Sequence, residues 1–345
     1  MPADDFTERY SRQILFSGIG EDGQRRLIGA RVVVIGAGAL GAVHVETLAR
    51  AGVGKIRIVD RDVVEKSNLH RQILYTERDA EEGAPKAVAA ERRVREINAD
   101  VDVEGIVEDV NALSVERLVE GADLVLDATD NFETRYLLND VCSKFGIPWI
   151  YGAVVGGGGA TMTIRPGLTA CLRCLFESMP APGSAPTCDT AGVVLPAVAI
   201  IASLQAAEAI KLLSGRHELL HGGLLQFDVW ENRWVRIGLD GLLERGDCPV
   251  CHRRQFEFLD SPGQHATTLC GRGAVQVTSA RPVRLDLVAL ADRLRPSGDV
   301  SENAYLVKFR SGEIEMTIFA DARCIIKGVT EPAAARSLYA RYVGA

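Results

Sequence analysis

Residues Arg31-Val32-Val33-Val34-Ile35-Gly36-Ala37-Gly38-Ala39-Leu40-Gly41 decide the fold. The run of β-branched residues reads as a strand. The glycines at G-x-G-x-x-G spacing read as a tight turn into a helix, whose Ala-, Leu- and Val-containing stretch ends at Ala51. Backbone amides and a helix amino terminus can meet a phosphate there with no side chain between them. Asp60 ends the next short strand and lies 19 positions beyond Gly41, close to the spacing at which a carboxylate accepts hydrogen bonds from a ribose. A nucleotide site follows, although the turn by itself does not separate NAD from ATP.

Working outward, strand-like runs at 101–107, 124–126 and 148–151 alternate with helical stretches at 86–97 and 131–144. That alternation implies a parallel sheet with helices on both faces, an α/β Rossmann-like fold. The run Gly156-Gly157-Gly158-Gly159 reads as a permissive turn before a strand at 161–165. A helix is expected at 194–213, then two strands around a turn at Glu231-Asn232. Linker composition at 260–264 divides the chain into a large domain, 1–260, and a small α+β domain, 266–345. Within the small domain, strands at 304–309, 314–319 and 324–327 precede a helix at 332–342.

The chain has 345 residues, 47% of them hydrophobic and 25% charged, which excludes fibrous and disordered readings. A net charge of −7 supplies no basic footprint for nucleic acid or for an anionic membrane surface. The acidic start Met1-Pro2-Ala3-Asp4-Asp5-Phe6 lacks the regions of a signal peptide, so a cytoplasmic location is expected. The apolar stretch 191–202 contains Pro196 and soon meets Ser203, Gln205 and Glu208; it reads as a buried helix and not as a membrane span.

The segment after Asp60 carries Asp62, Asn68, Arg71, Gln72 and Lys86. Hydride transfer has little use for so many phosphate-directed groups. Joining a carboxylate to an α-phosphate brings two anions together, and Arg71 and Lys86 suit the task of offsetting that repulsion and the charge of a leaving pyrophosphate. In Asp127-Ala128-Thr129-Asp130-Asn131, at the carboxyl end of an expected strand, Asp130 is a candidate magnesium ligand; a helix cap by Asp130 is equally compatible.

Eight cysteines are too few for a disulfide scaffold. Cys171-Leu172-Arg173-Cys174 and Cys248-Pro249-Val250-Cys251 form two C-x-x-C pairs that can deliver four thiolates to a structural zinc, with redox or unpaired core thiols as the alternative. Cys188 lies in a polar loop before the apolar helix and is the candidate nucleophile, against an unreactive loop thiol. Cys142 and Cys324 fall on core positions and read as inert. Cys270 gives only a faint signal of a sulfur-transfer loop.

The joint pattern Arg9-Tyr10-Ser11-Arg12-Gln13, Gly36-x-Gly38-x-x-Gly41, Asp60-x-Asp62, Ser67-Asn68-Leu69-x-Arg71-Gln72, Pro85-Lys86 and Asp127-x-Thr129-Asp130-Asn131 resembles the ThiF/MoeB family, bacterial relatives of ubiquitin-activating enzymes, over about residues 6–258. The resemblance implies the mixed, mostly parallel sheet of that type and ATP-dependent adenylation of the carboxy-terminal glycine of a ubiquitin-like sulfur-carrier protein ending in Gly-Gly. It also implies that Asp60 contacts the ribose, that Arg71 and Lys86 contact the phosphates with Asn68 and Gln72 orienting them, and that Asp130 holds magnesium. Arg12 would reach into the neighbouring subunit's site of a homodimer. The cysteine pairs match family zinc knuckles, and Cys188 aligns with the family cysteine that attacks the acyl adenylate or joins a persulfide relay. The carboxy-terminal domain does not resemble a rhodanese, so the sulfur donor is expected in trans.

Three alternatives stand at this point. An NAD-dependent oxidoreductase rests on the fingerprint and Asp60 alone. A non-catalytic scaffold subunit of the same fold is opposed by retention of every candidate phosphate ligand. A relative acting on a small-molecule or tRNA carboxylate is disfavoured by the cysteine pairs and the Cys188 loop.

Overall fold

The computed structural model describes residues 8–180, 188–260, 266–269, 274–278, 283–329 and 331–344. The chain divides into two compact units, one of Met1–Pro180 with Ala191–Pro262 and one of Ala181–Thr190 with Gly263–Ala345.

The first unit is built on an eight-stranded sheet. Its elements are α1 (Gly20–Gly29), β1 (Arg31–Ile35), α2 (Ala39–Ala51), β2 (Lys55–Val59), α3 (Lys86–Ile97), β3 (Asp102–Ile106), β4 (Leu124–Asp127), α4 (Phe132–Phe145), β5 (Trp149–Val155), β6 (Gly158–Ile164), α5 (Leu195–Ser214), β7 (Gly223–Asp228) and β8 (Arg233–Gly238), besides shorter helical turns. The strand order is β3-β2-β1-β4-β5-β6-β7-β8. The first five strands run parallel and the last three antiparallel. Alternation along β1 feeds both faces. Val32 and Val34 pack in the core with residues of α1, α2, α3 and α5, whereas Val33 and Ile35 pack in the core that holds α4 and the cysteine pairs.

Local chemistry sets the helix ends. Gly52, at φ 79°, closes α2 with its N–H on the carbonyls of Leu48 and Ala49. Asn131 accepts from Thr134 N at 2.8 Å and caps α4. The cap alternative for Asp130 is thereby corrected: the neighbouring amide, which can reach N3, takes that role, and Asp130 is exposed. The glycine turn is also shorter than expected. Gly158 and Gly159 already pair with Val155 and Val154 as part of β6, and a Cβ on Gly159 would overlap Ile201 of α5. The 20-residue α5 is long and apolar enough to cross a membrane by length and composition, yet its buried side carries Gln205 and Glu208 among alanines.

The second unit contains a six-stranded sheet. Its elements are β9 (Ala266–Leu269), β10 (Ala274–Val277), α6 (Leu287–Leu294), β11 (Asp299–Glu302), β12 (Leu306–Ser311), β13 (Ile314–Phe319), β14 (Cys324–Lys327) and α7 (Pro332–Tyr342). The strand order is β11-β12-β13-β14-β10-β9, every pair antiparallel. Val307, Phe309, Met316, Ile318 and Ile326 form its core with Leu290 of α6 and Tyr339 of α7.

Candidate nucleotide site and four-cysteine cluster

The turn after β1 is shaped by two glycines that the protein itself requires. Gly36 has φ 95°, and a Cβ there would lie 2.6 Å from Ala128 O; a Cβ on Gly41 would overlap Gly36 O. Gly38 differs. Among the described residues a Cβ there would meet nothing nearer than Gln72 Nε2 at 3.8 Å, so none of them demands glycine and the turn keeps an open face. Tyr75 Oη props the turn by donating to Ala37 O at 2.6 Å. The amino terminus of α2 follows directly, with its unsatisfied amides and positive dipole end.

Asp60 ties this turn to the next loop. Its Oδ2 accepts from Ala37 N and its Oδ1 from Asp62 N, both at 2.7 Å. Burial pushes its carboxyl up from the ordinary value, against the pull of the Lys86 ammonium. Lys86 is 3% exposed at the start of α3, with Nζ 3.2 Å from Asp62 Oδ2. Asp60, Asp62 and Lys86 thus lie together beside the turn.

Asn68 and Gln72 are both buried, on and just after the helical turn Lys66–Asn68. Asn68 Oδ1 accepts from Glu65 N at 3.1 Å, so part of its work is local. Gln72 Oε1 is buried with no hydrogen-bond partner among the described residues, beside the open face at Gly38. An orphaned acceptor next to an open turn is what a nucleotide would use. Arg71 is partly exposed and donates to Ser67 O at 2.8 Å.

Opposite this group stands the loop that follows β4. The fully buried Asp127 accepts from Thr129 N at 2.9 Å and Thr129 Oγ1 at 2.7 Å on one oxygen, and from Arg135 Nε at 3.2 Å on the other. Arg135 Nη2 donates to Thr129 O at 2.7 Å. Burial pushes the Asp127 carboxyl up, and Arg135 opposes it. Three residues on, Asp130 is exposed and is among the carboxylates that hold Arg61 and Arg135 charged. Asp127, Arg135, Tyr75 and the Arg61–Asp109 pair at 2.8 Å were not foreseen as site residues. Their signal was weak, because a buried Arg–Asp pair eight residues apart looks in sequence like any two surface charges.

Arg12 lies elsewhere. Its arm is anchored by Tyr10, whose Oη accepts from Asn98 Nδ2 at 2.9 Å, and by Gln13, whose Nε2 donates to Ala51 O at 2.8 Å. Both anchors sit at the carboxyl end of α2, a 13-residue helix and hence about 20 Å from the glycine turn at its other end. Arg12 is exposed there, beside Leu15 and Phe16 at 74% and 64% exposure.

On the other face of the sheet the two C-x-x-C pairs meet, although 73 residues separate them. Cys171 Sγ is 3.8 Å from Cys174 Sγ and 3.7 Å from Cys248 Sγ, and Cys174 Sγ is 3.7 Å from Cys251 Sγ. All four sulfurs lie within 4.8 Å of one another. Tetrahedral zinc with bonds of about 2.3 Å needs sulfur–sulfur edges of about 3.8 Å, so the cluster fits that ion. Helix α4 gathers both pairs: Asn139 Oδ1 accepts from Leu172 N and Asp140 Oδ2 from Phe258 N, each at 2.9 Å.

Among the remaining cysteines, burial pushes the Cys142 and Cys324 thiols far up, in keeping with inert core groups. Cys188 is partly buried and begins the four-residue helix Cys188–Ala191, in the stretch that divides with the second unit. Cys270 lies outside the described residues.

The ThiF family model matches residues 10–250. The sulfur carrier protein ThiS adenylyltransferase of Bacillus subtilis (strain 168) is 48% identical over 340 residues, 98% of this chain and 100% of that one. The SAMP-activating enzyme E1 of Haloferax volcanii is 44% identical over 244 residues, 71% of this chain and 88% of that one. The sulfur carrier protein ThiS adenylyltransferase of Escherichia coli (strain K12) is 40% identical over 244 residues, 70% and 94%. The second unit is therefore shared with the Bacillus relative. Among solved structures, Escherichia coli MccB with AMPCPP and MccA superposes at a TM-score of 0.58 with 26% identity, covering 68% of this chain and 72% of that one. All are named as adenylating or activating enzymes or share their fold, and the hydride-transfer alternative lies outside that group.

Proposed function

The chain belongs to the ThiF family, and from that premise we propose that it adenylates the carboxy-terminal glycine of a ubiquitin-like sulfur-carrier protein of the ThiS type. The observation that carries the reading is the open turn at Gly38 beside the orphaned Gln72 Oε1, with Asp60, Lys86 and Arg71 close in sequence and Asp130 on the facing loop. ATP lies along that turn, its phosphates on the backbone amides and the amino terminus of α2. Asp60 has spare lone pairs for the ribose, since each oxygen accepts one backbone N–H. Gln72 and Asn68 orient the phosphates.

A carrier carboxylate oxygen attacks the α-phosphorus; the new oxygen–phosphorus bond forms as the bond to the β-phosphate bridging oxygen breaks, and pyrophosphate leaves. Lys86 and Arg71 hold positive charge where negative charge accumulates. Asp130 would hold magnesium, which would supply charge neutralisation of the same kind. The product is an acyl adenylate. Sulfide displaces AMP from it to leave a thiocarboxylate directly; a persulfide, on a donor in trans or passed to Cys188, displaces AMP to give an acyl disulfide, and a second thiol then attacks that disulfide, forming a new disulfide as the thiocarboxylate leaves.

Two surfaces complete the proposal. The anchored arm keeps Arg12 at the far end of α2 from its own glycine turn, so its phosphate role is exercised in the partner subunit of a homodimer. Strand β8 is the outer strand of the sheet, with Trp234, Val235 and Ile237 exposed, and it offers a carrier an edge for strand addition. The four cysteines hold zinc structurally, because four thiolates leave no open position.

The test is carrier-dependent ATP–pyrophosphate exchange. We expect exchange with a carrier ending in Gly-Gly and none once those glycines are removed. Exchange indifferent to the tail overturns the substrate assignment.

A further inference from the structure

Building on the adenylation reading, we infer that Gln205 and His44 are positioning residues that set the loop bearing Asp130 against the phosphate turn. Strands β4 and β5 pair at Val125↔Trp149 and Leu126↔Ile150, and there the ladder ends. The Gln205 carboxamide, reaching up from α5, fills the opening. Its Nε2 donates to Asp127 O at 2.9 Å and to Ile150 O at 3.1 Å, one acceptor on each strand. Room for it depends on Gly152, where any Cβ would overlap the carboxamide. Asp127 is the last residue of β4, so these bonds hold the root of the loop Ala128–Asp130.

The other end of the carboxamide reaches α2. Gln205 Oε1 lies 3.0 Å from His44 Nε2, and both residues are fully buried. Because two carbonyls face the Gln205 nitrogen, its oxygen must accept, and His44 Nε2 must carry the proton. His44 Nδ1 is buried with no hydrogen-bond partner among the described residues, which leaves the ring a neutral, single-donor link. Burial pushes its pKa down to about 4, so the ring stays in that state at neutral pH. His44 sits one turn beyond Gly41 on the helix whose amino terminus meets the phosphates. The chain His44–Gln205–Asp127 therefore fixes the distance between that terminus and the loop that presents Asp130. From α4, Arg135 fixes the same loop through Thr129 O.

Neither residue touches the nucleotide's expected place, so the test must separate positioning from packing. On the full chain, Gln205→Leu and His44→Leu are expected to lower kcat for carrier-dependent exchange by about ten- to a hundredfold while KM for the carrier stays within about twofold. Both should also lose most of the gain in ATP affinity that magnesium gives, measured by titration calorimetry without carrier. His44→Gln keeps a donor near the position of Nε2 and is expected to retain wild-type kcat and the magnesium gain. Variants that melt lower yet keep both would overturn the inference, as would a His44→Gln as impaired as His44→Leu. If Gln205→Leu does not fold, the two His44 variants decide. Wild-type protein that binds ATP with magnesium but shows no carrier-driven exchange sinks the carrier reading alone, and the calorimetric gain still judges the positioning. No ATP binding at all sinks both.

Discussion

The glycine turn and the four-cysteine cluster sit on the same sheet and are built on opposite logics. The turn is made by residues adjacent in sequence, and backbone sterics keep it open: Gly36 and Gly41 make room for other backbone, whereas Gly38 makes room for none of the described residues. The cluster is made by segments 73 residues apart, drawn together by Asn139 and Asp140 of α4, and its four sulfurs close on one point. An open site leaves polar groups such as Gln72 Oε1 unsatisfied for a ligand; a closed one, were it to hold an ion, would have no donor left for chemistry.

That contrast can be broken most forcefully at the cluster. Cys248→Ser, or a strong chelator, is expected to remove bound zinc and to destabilise the first unit by about 4 kcal/mol or more, on the order of 10 °C in melting temperature. Elemental analysis with calorimetry checks this; a metal-free chain that melts normally would make the cluster no more than a group of neighbouring thiols.

At the open site the effect should fall on catalysis and not on folding. Arg71→Ala is expected to slow pyrophosphate exchange by about 10²-fold or more. Its side chain donates to Ser67 O on the protein surface, so the melting temperature should move by no more than about 0.5 kcal/mol implies.

The turn itself offers a sharper division. Gly36→Ala forces a left-handed φ on alanine and a close approach to Ala128 O, and should cost about 1–3 kcal/mol in denaturant unfolding. Gly38→Ala should leave stability unchanged while weakening ATP binding, since its methyl enters only the open face. Equal losses of stability in the two would erase the difference between a glycine kept for the fold and one kept for a ligand.

The smallest effect concerns pH. His44 has its folded pKa lowered from 6.5 to about 4 by burial, so the unfolded chain takes up this proton first as pH falls. Its contribution to stability is present above the unfolded value and is lost on acidification, by about 1 kcal/mol between pH 6.5 and 5.5. His44→Gln should flatten that part of the stability–pH curve; an unchanged slope would place the titration elsewhere.

The legibility of the molecule follows the same division. The strand–turn–helix at 31–51, Asp60, the Lys86 helix and the α7 span Pro332–Tyr342 were all readable, because the physics that fixes them is local: β-branched runs, glycine turns, proline at a helix start. Helix α1 was not read, since Gly20, Gly23 and Gly29 give it little propensity; burial of Gln24 and Leu27 holds it instead. Gln205 was noticed only as a polar interruption of an apolar stretch.

A glycine-rich turn, an acid at ribose spacing and four pairable thiols were legible in the amino-acid string, since each is a short pattern whose chemistry does not depend on distant neighbours. Folding alone established that Gly38 faces open space among the described residues, that Asn131 and not Asp130 caps α4, and that His44 and Gln205, 161 positions apart, share one hydrogen bond. Those facts depend on where the sheet brings separate strands and helices together, and a buried polar group reveals its purpose only through the partner it finds there.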